Sequence, residues 1–224
     1  MSEKTSEFFE NKNALNITNG ECFNDYFLKK YGGTAVPFCE DMMDGETITD
    51  ICSDAFIDLR ASILNMSREV YRSKMRVCEL LRENAYDEIR LWFGKDTFCQ
   101  MNLLTLLAYL EQIGYGGRVV LHYIDDETFE MIEGNVIVHL GAYRRIYADI
   151  FIFKQSSDDI GVLDATALAL YFDYHSDDGA LARMVREHSD KDDMALICLL
   201  LENSAAYGLS DMQAERLIAK YRNT

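Results

Sequence analysis

Residues 88–124 read EIRLWFGKDTFCQMNLLTLLAYLEQIGYGGRVVLHYI, and the change of period inside that stretch decides the fold. Glu88 to Phe93 is a short apolar and aromatic run that suits a strand, and Gly94-Lys95 turns the chain. From Asp96 to Ile113 the pattern is helical and apolar nearly all round, with Phe98, Met101, Leu103, Leu104, Leu106, Leu107, Leu110 and Ile113. Such a helix belongs deep inside a domain. Gly114-Tyr115-Gly116-Gly117 stops it, and Arg118 to Ile124 forms the next strand. Strand, buried helix and strand make the unit of a parallel sheet, because only a long crossover returns the chain to the same end.

The same unit recurs upstream. Ala14 to Thr18 is a strand, Asn19-Gly20 a turn, Glu21 to Tyr31 a helix closed by Gly32-Gly33, and Thr34 to Cys39 a second strand. Pro37 supplies no ladder donor, which sends that strand to a sheet edge or makes it a strand end. Ser53 to about Glu83 is helical with a break near Asn65, and Arg68, Arg72 and Arg76 at i, i+4 and i+8 share a solvated face. Val136 to Leu140 is a further strand with an antiparallel sense open to it, before a helix from about Ala142 to Phe153. After Lys154 all strand alternation is lost. Ser189-x-x-Asp192 and Ser210-x-x-Gln213 have the spacing of helix-capping pairs, and Gly208 is placed to stop a helix. The expected fold class is therefore α/β. An open, mostly parallel, Rossmann-like sheet with flanking helices fills residues 14–155, after a frayed N-terminus at 1–13. A small all-helical C-terminal domain follows at 156–224.

Composition removes several function classes. The 224 residues carry 38 acids and 22 Lys and Arg, a formal charge of -16, and residues 156–224 alone hold 13 acids and 6 bases. A field of that sign repels nucleic acid, so DNA and RNA are disfavoured partners. No run approaches the ~20 apolar residues of a membrane span, and Met1 to Glu7 lacks the basic start of a signal peptide. A cytoplasmic location is expected, and with it six reduced, mostly buried cysteines: Cys22, Cys39, Cys52, Cys78, Cys99 and Cys198. No Cys-x-x-Cys pair occurs, and His122, His139, His175 and His188 show no zinc-ligand spacing, so no metal site is expected. Neither GxGxxG nor GxxxxGK[ST] is present, and no cofactor is identified.

Ligands of open parallel sheets bind beyond the carboxyl ends of the strands. Three segments bring polar residues there: Thr18, Asn19, Gly20 and Glu21 after the first strand, Glu40, Asp41, Asp44 and Gly45 after the second, and Gly94, Asp96, Gln100 and Asn102 after the third. Asn19 is a good helix cap, and the amides behind it suit an anion. Asp96 caps the buried helix or lines a pocket with Gln100 and Asn102. Cys99 lacks an identifiable histidine partner, which weighs against a nucleophilic role. Glu40, Asp41 and Asp44 read first as a solvated acidic loop and second as a divalent-cation or general-base site. Arg60 pairs with one of these carboxylates in a structural salt bridge, or holds an anionic ligand.

Ile17-Thr18-Asn19-Gly20-Glu21, Glu40-x-x-x-Asp44-Gly45, and Leu91-Trp92-Phe93-x-x-Asp96-x-Phe98-Cys99-Gln100-x-Asn102-Leu103-Leu104 together resemble a bacterial domain family of unknown function. The resemblance covers residues 14–155 and implies an N-terminal α/β domain with a helical C-terminal part. Members often carry a proline after the glycine matching Gly45, where this chain has Glu46. It implies no activity, cofactor or partner. The residues themselves point to a small-molecule site, for a phosphorylated or nucleotide-like ligand, at Thr18, Asn19, Gly20, Glu40, Asp44, Arg60, Asp96, Cys99, Gln100 and Asn102. Turnover and oligomeric state are left open. The alternative is a non-enzymatic, acidic regulatory or adaptor protein that binds another protein through its C-terminal helices.

Overall fold

A computed structural model describes residues 13–83 and 85–222; the stretch expected to be frayed lies, apart from residue 13, outside the described residues. Strands β1 (Ala14–Asn19), β2 (Ala35–Phe38), β3 (Glu88–Phe93), β4 (Arg118–Ile124) and β5 (Met131–Val138) form one sheet in the order β2-β1-β3-β4-β5. The pairs β1–β2, β1–β3 and β3–β4 are parallel, and β5 runs antiparallel to β4. Pro37 lies on the edge strand β2, where a missing ladder donor costs least. The chain leaves β1 toward β2 on one side and returns to β3 on the other. That reversal opens a crevice at the carboxyl ends of β1 and β3.

Alternation along the strands sorts side chains to two faces. On one face Trp92 packs with Ile124 and with Phe23 and Phe27 of α1 (Glu21–Tyr31). Asn16 and Thr18 share that face: Trp92 Nε1 donates to Asn16 Oδ1 at 3.1 Å, and Thr18 Oγ1 donates to Asn24 Oδ1 at 3.0 Å. On the other face Leu15, Ile17, Leu91, Phe93 and Leu121 meet α5 (Thr97–Gln112). α5 is buried along most of its length because the sheet covers one side while α6 (Tyr143–Tyr147) and α7 (Ala165–His175) cover others. Each fully buried leucine there stabilises the fold by ~1.5–3 kcal/mol.

The helical stretch after the second strand divides into α2 (Asp54–Ile63), α3 (Arg68–Lys74) and α4 (Arg76–Arg82). Asn65, at φ 52°, breaks it first, and Met75 breaks it again. Arg68 and Arg72 therefore share a face and both pair with Asp54, whereas Arg76 opens a new helix and leaves the expected stripe. β5 begins earlier than its sequence pattern suggests and ends two residues sooner, at Val138. Gly134-Asn135 within it disguises the alternation, and the pairing with β4 slips register nearby. α6 widens into a π turn at Ala148–Ile152. Glu111 of α5 caps α6, accepting from the amides of Tyr143 and Arg144 at 2.8 and 2.9 Å.

Helices α8 (Ala180–Glu187), α9 (Asp193–Glu202) and α10 (Asp211–Tyr221) complete the chain. Ser210 and Gln213 form the expected capping box at α10. At α9 the cap is Asp192 rather than Ser189, since the helix starts at the next residue and Asp192 Oδ1 accepts from Ala195 N. Strand gives way to helix where the sequence changes character, yet one apolar cluster runs from Ile17 and Leu91 through Leu168, Tyr171 and Val185 to Leu217.

The cysteines depart from expectation. Cys52 and Cys78 are joined by a disulfide, Cys22 and Cys198 are exposed, and Cys99 is buried. The turn before α2 and the helix α4 bring the Cys52 and Cys78 Cα atoms to 6.3 Å, a tertiary proximity that a 26-residue separation does not advertise. Among the described residues no helix is long and apolar enough to cross a membrane.

Candidate functional site

The loop after β2 is held from below by one arginine. Arg60 of α2 is fully buried, and its guanidinium donates to Glu40 Oε1 from Nε at 3.1 Å and from Nη2 at 2.8 Å. Its remaining donors reach the carbonyls of Asp41, Asp44 and Glu46 at 2.5, 2.7 and 3.1 Å. Tyr71 donates to the other Glu40 oxygen. Burial pushes Glu40 upward from the usual carboxylate range, while the Arg60 charge pulls it back. Arg60 is thus the structural partner of Glu40, with its donors committed to the protein.

A second set of side chains ties the carboxyl ends of β1 and β2 to the start of α5. Asn102 donates to Asn19 Oδ1 at 3.0 Å and to the Glu40 carbonyl at 2.7 Å, and accepts from Met42 N at 3.2 Å. Asn19 in turn donates to Cys99 Sγ at 2.9 Å. Asn19 does not cap α1, because its amide is spent on these bonds. The cap position falls to Gly20, at φ 80°, and no side-chain cap bond is made there among the described residues. Gln100 is likewise committed, donating to the Gly94 carbonyl at 2.6 Å and accepting from Asp164 N at 2.9 Å. Thr18 is fully buried on the α1 face and does not reach the rim.

At the N-terminus of α5, Asp96 accepts from Cys99 N at 2.6 Å, the cap its sequence position implies. Asp126, just beyond β4, closes on the same turn. It accepts from the Cys99 thiol at 3.3 Å and from the amides of Lys95 and Asp96 at 3.2 and 3.3 Å. Burial, and then the Asp126 charge, push Asp96 up to about 7. Burial also raises Asp126, and burial followed by the two carboxylates holds the Cys99 thiol well above its ordinary value. A thiol so held is a poor nucleophile. Asp96, Cys99 and Asp126 are the described residues whose side chains converge as a metal would require.

Beside this rim lies a cavity of ≈ 670 Å³, within the ~300–1,000 Å³ of small-molecule pockets. Gly20 and Glu21 form one lip, and Phe38 to Asp41, at the end of β2, form the floor. Ile63, Leu64, Met66 and Phe98 supply apolar wall. α10 closes the far side with Met212, Glu215, Arg216 and Ala219. α10 is fastened by Gln213, which donates to Asp41 Oδ1 at 3.1 Å, and by Arg216, which stands 3.1 Å from Asp44 and 3.6 Å from Asp41. Tyr174 of α7 adds a bond to Asp44 at 2.8 Å. The loop expected to be a solvated acidic segment is therefore half-buried and pinned by C-terminal helices.

Of the sequence candidates, Asn19, Asn102, Cys99 and Asp96 come together at the crevice between β1 and β3. Gly20 and Glu40 line the cavity, and Asp44 and Arg60 brace its floor from outside the lining. Asp126, Gln213 and Arg216 were not among the candidates. Asp126 follows a strand end as the others do and was readable by that rule; the other two come from a helix whose approach no local pattern announces. Compared with protein-family models, with curated proteins and with solved structures, the chain matches none.

Proposed function

We propose that this protein binds a small molecule with an apolar body and one anionic head, a phosphate or a carboxylate, in the cavity at the carboxyl ends of β1 and β2. The observation that carries this reading is the coincidence of that cavity with the start of α1, which has no side-chain cap bond among the described residues. Amides at a helix start favour negative charge, and Phe38, Ile63, Leu64, Met66 and Phe98 offer the apolar body a dry wall. Lys74 and Arg216 add positive charge at the rim, against Glu21, Asp41 and Glu215, while Glu40 below is matched by Arg60. That balance favours a singly substituted phosphate or a carboxylate over a triphosphate, which would bring its excess charge against the lining acids.

A thermal-shift series on the full chain tests it, with nucleoside monophosphates, sugar phosphates, acyl carboxylates and nucleoside triphosphates as probes. A ligand at 100 times its dissociation constant adds about 2.7 kcal/mol, roughly 5–10 °C for a chain of this size. The expected result is a shift from a monophosphate or carboxylate that disappears in Ala219→Trp, whose ring fills the cavity from the exposed face of α10. A flat series on cooperatively folded protein, or a shift untouched by Ala219→Trp, would overturn the proposal.

A further inference from the structure

We propose that Asp96, Cys99 and Asp126 form a site for one zinc-type divalent cation, bound by the cysteine sulfur and one carboxylate oxygen from each aspartate. The three donor atoms lie within 4.8 Å of one another. Cys99 Sγ already stands 3.3 Å from Asp126 Oδ1. A zinc ion holding sulfur at ~2.3 Å and oxygen at ~2.1 Å keeps such ligands about 3.5 Å apart, so the cation takes the place of the thiol proton in that contact.

Several packed acids of this chain, though not Glu111 or Asp173, are met by an arginine, and among the described residues this group is not. The buried Glu40 is met by Arg60, the buried Glu88 by Arg90 and Arg118, and the half-buried Asp41 and Asp44 by Arg216. Among the described residues neither Asp96 nor Asp126 is a partner in any of the ion pairs. The neighbouring Lys95 turns away, to Glu133 at 3.7 Å and over the Tyr123 ring. Two carboxylates are thus held against one thiol with no protein cation to balance them.

The backbone makes room for that arrangement from two sides. A Cβ at Gly94 would fall 1.5 Å from Asp126 Oδ1, and one at Gly208 would fall 2.6 Å from Asp96 Cγ. Side chains at either position would displace a carboxylate from the group. Asn19 donates to the cysteine sulfur at 2.9 Å, the outer bond that steadies a metal thiolate. A thiolate with two carboxylates selects zinc, cobalt or ferrous iron over magnesium and calcium, which take oxygen alone. Asp126 is exposed, which leaves solvent a route to the remaining coordination position. On binding, the metal–sulfur bond forms as the thiol proton passes to water, with no change of oxidation state.

Titration of the full-length chain with Co²⁺ tests this, without added reductant so that the Cys52–Cys78 bond stays closed. The expected result is a near-ultraviolet sulfur-to-cobalt band that saturates at one metal per chain, strengthens as pH rises, and is displaced by Zn²⁺. Cys99→Ser abolishes it, and Asp126→Asn weakens binding by at least about tenfold. Circular dichroism follows the fold of each variant. Should Cys99→Ser fail to fold, Asp126→Asn, at an exposed position, decides alone. No band with folded protein, a band that survives Cys99→Ser and so belongs to Cys22, Cys39 or Cys198, or full affinity in Asp126→Asn would each overturn the site.

Discussion

Arg60 shows how much of this fold depends on one side chain. Its planar guanidinium serves Glu40 and three carbonyls of the loop after β2, and a lysine cannot reproduce that fan of donors. Removing one member of a buried ion pair leaves the other charge without compensation and costs about 3–5 kcal/mol. Arg60→Ala should lose that much in urea unfolding, with Arg60→Lys also destabilised; a loss within about 1 kcal/mol would mean that the loop does not need its clamp. Asp41, on the same loop, gives a pH dependence. Burial and then Asp44 push it up to about 6 in the folded chain, against an unfolded value near ~3.9. The folded state therefore holds the proton more tightly, and this contribution to stability is complete below about pH 4 and lost as pH rises through 6. The gap corresponds to about 3 kcal/mol at most. Asp41→Asn should flatten the melting temperature across that window and gain on the parent at alkaline pH. Parallel pH curves for the two proteins would refute the assignment.

At the scale of elements, the sequence was informative wherever burial and local chemistry agree. β3, α5 and β4 match their expected bounds to within a residue, because a strand of alternating faces and a helix apolar all round leave few other arrangements. β2 takes the edge, one of the two positions that Pro37 allows, and Asp96 caps α5, one of the two roles open to it. The misreadings have one common cause: the deciding partner is distant in sequence. Asn19 looks like a cap for α1, but Cys99 and Asn102 claim its amide across the crevice. Glu40, Asp41 and Asp44 look like a solvated acidic loop until Arg60 is placed below them and Arg216 beside them. Cys52 and Cys78 carry no spacing signal, and only the fold of α2 to α4 brings them together. The candidate site was legible as a rim of polar strand ends. Its cavity was not, because α10 supplies one wall from the far end of the chain.

For the molecule as a whole, the question is whether residues 14–155 stand alone. α5 has no face suited to water, and α7 covers one of its sides, so removal of residues 156–224 would expose apolar surface that the sheet cannot hide. Polar ties cross the same boundary: Gln100 to Asp164, Asp41 to Gln213, and Asp44 to Tyr174 and Arg216. The intact chain should therefore unfold in one transition, with the fluorescence of Trp92, which reports on the sheet, coincident with the far-ultraviolet signal of all the helices. A fragment ending at residue 155 should show no cooperative melt and should bind a hydrophobic dye. Two separable transitions in the full chain, or a fragment that melts cooperatively, would establish the sheet and the C-terminal helices as independent domains. The outcome also governs how binding is tested. In a single cooperative unit, deleting the C-terminal helices destroys the cavity wall and the core together, so a ligand lost on truncation would say nothing about where it binds. Only point changes such as Ala219→Trp, made on an exposed helix face with the core intact, can then separate loss of the site from loss of the fold.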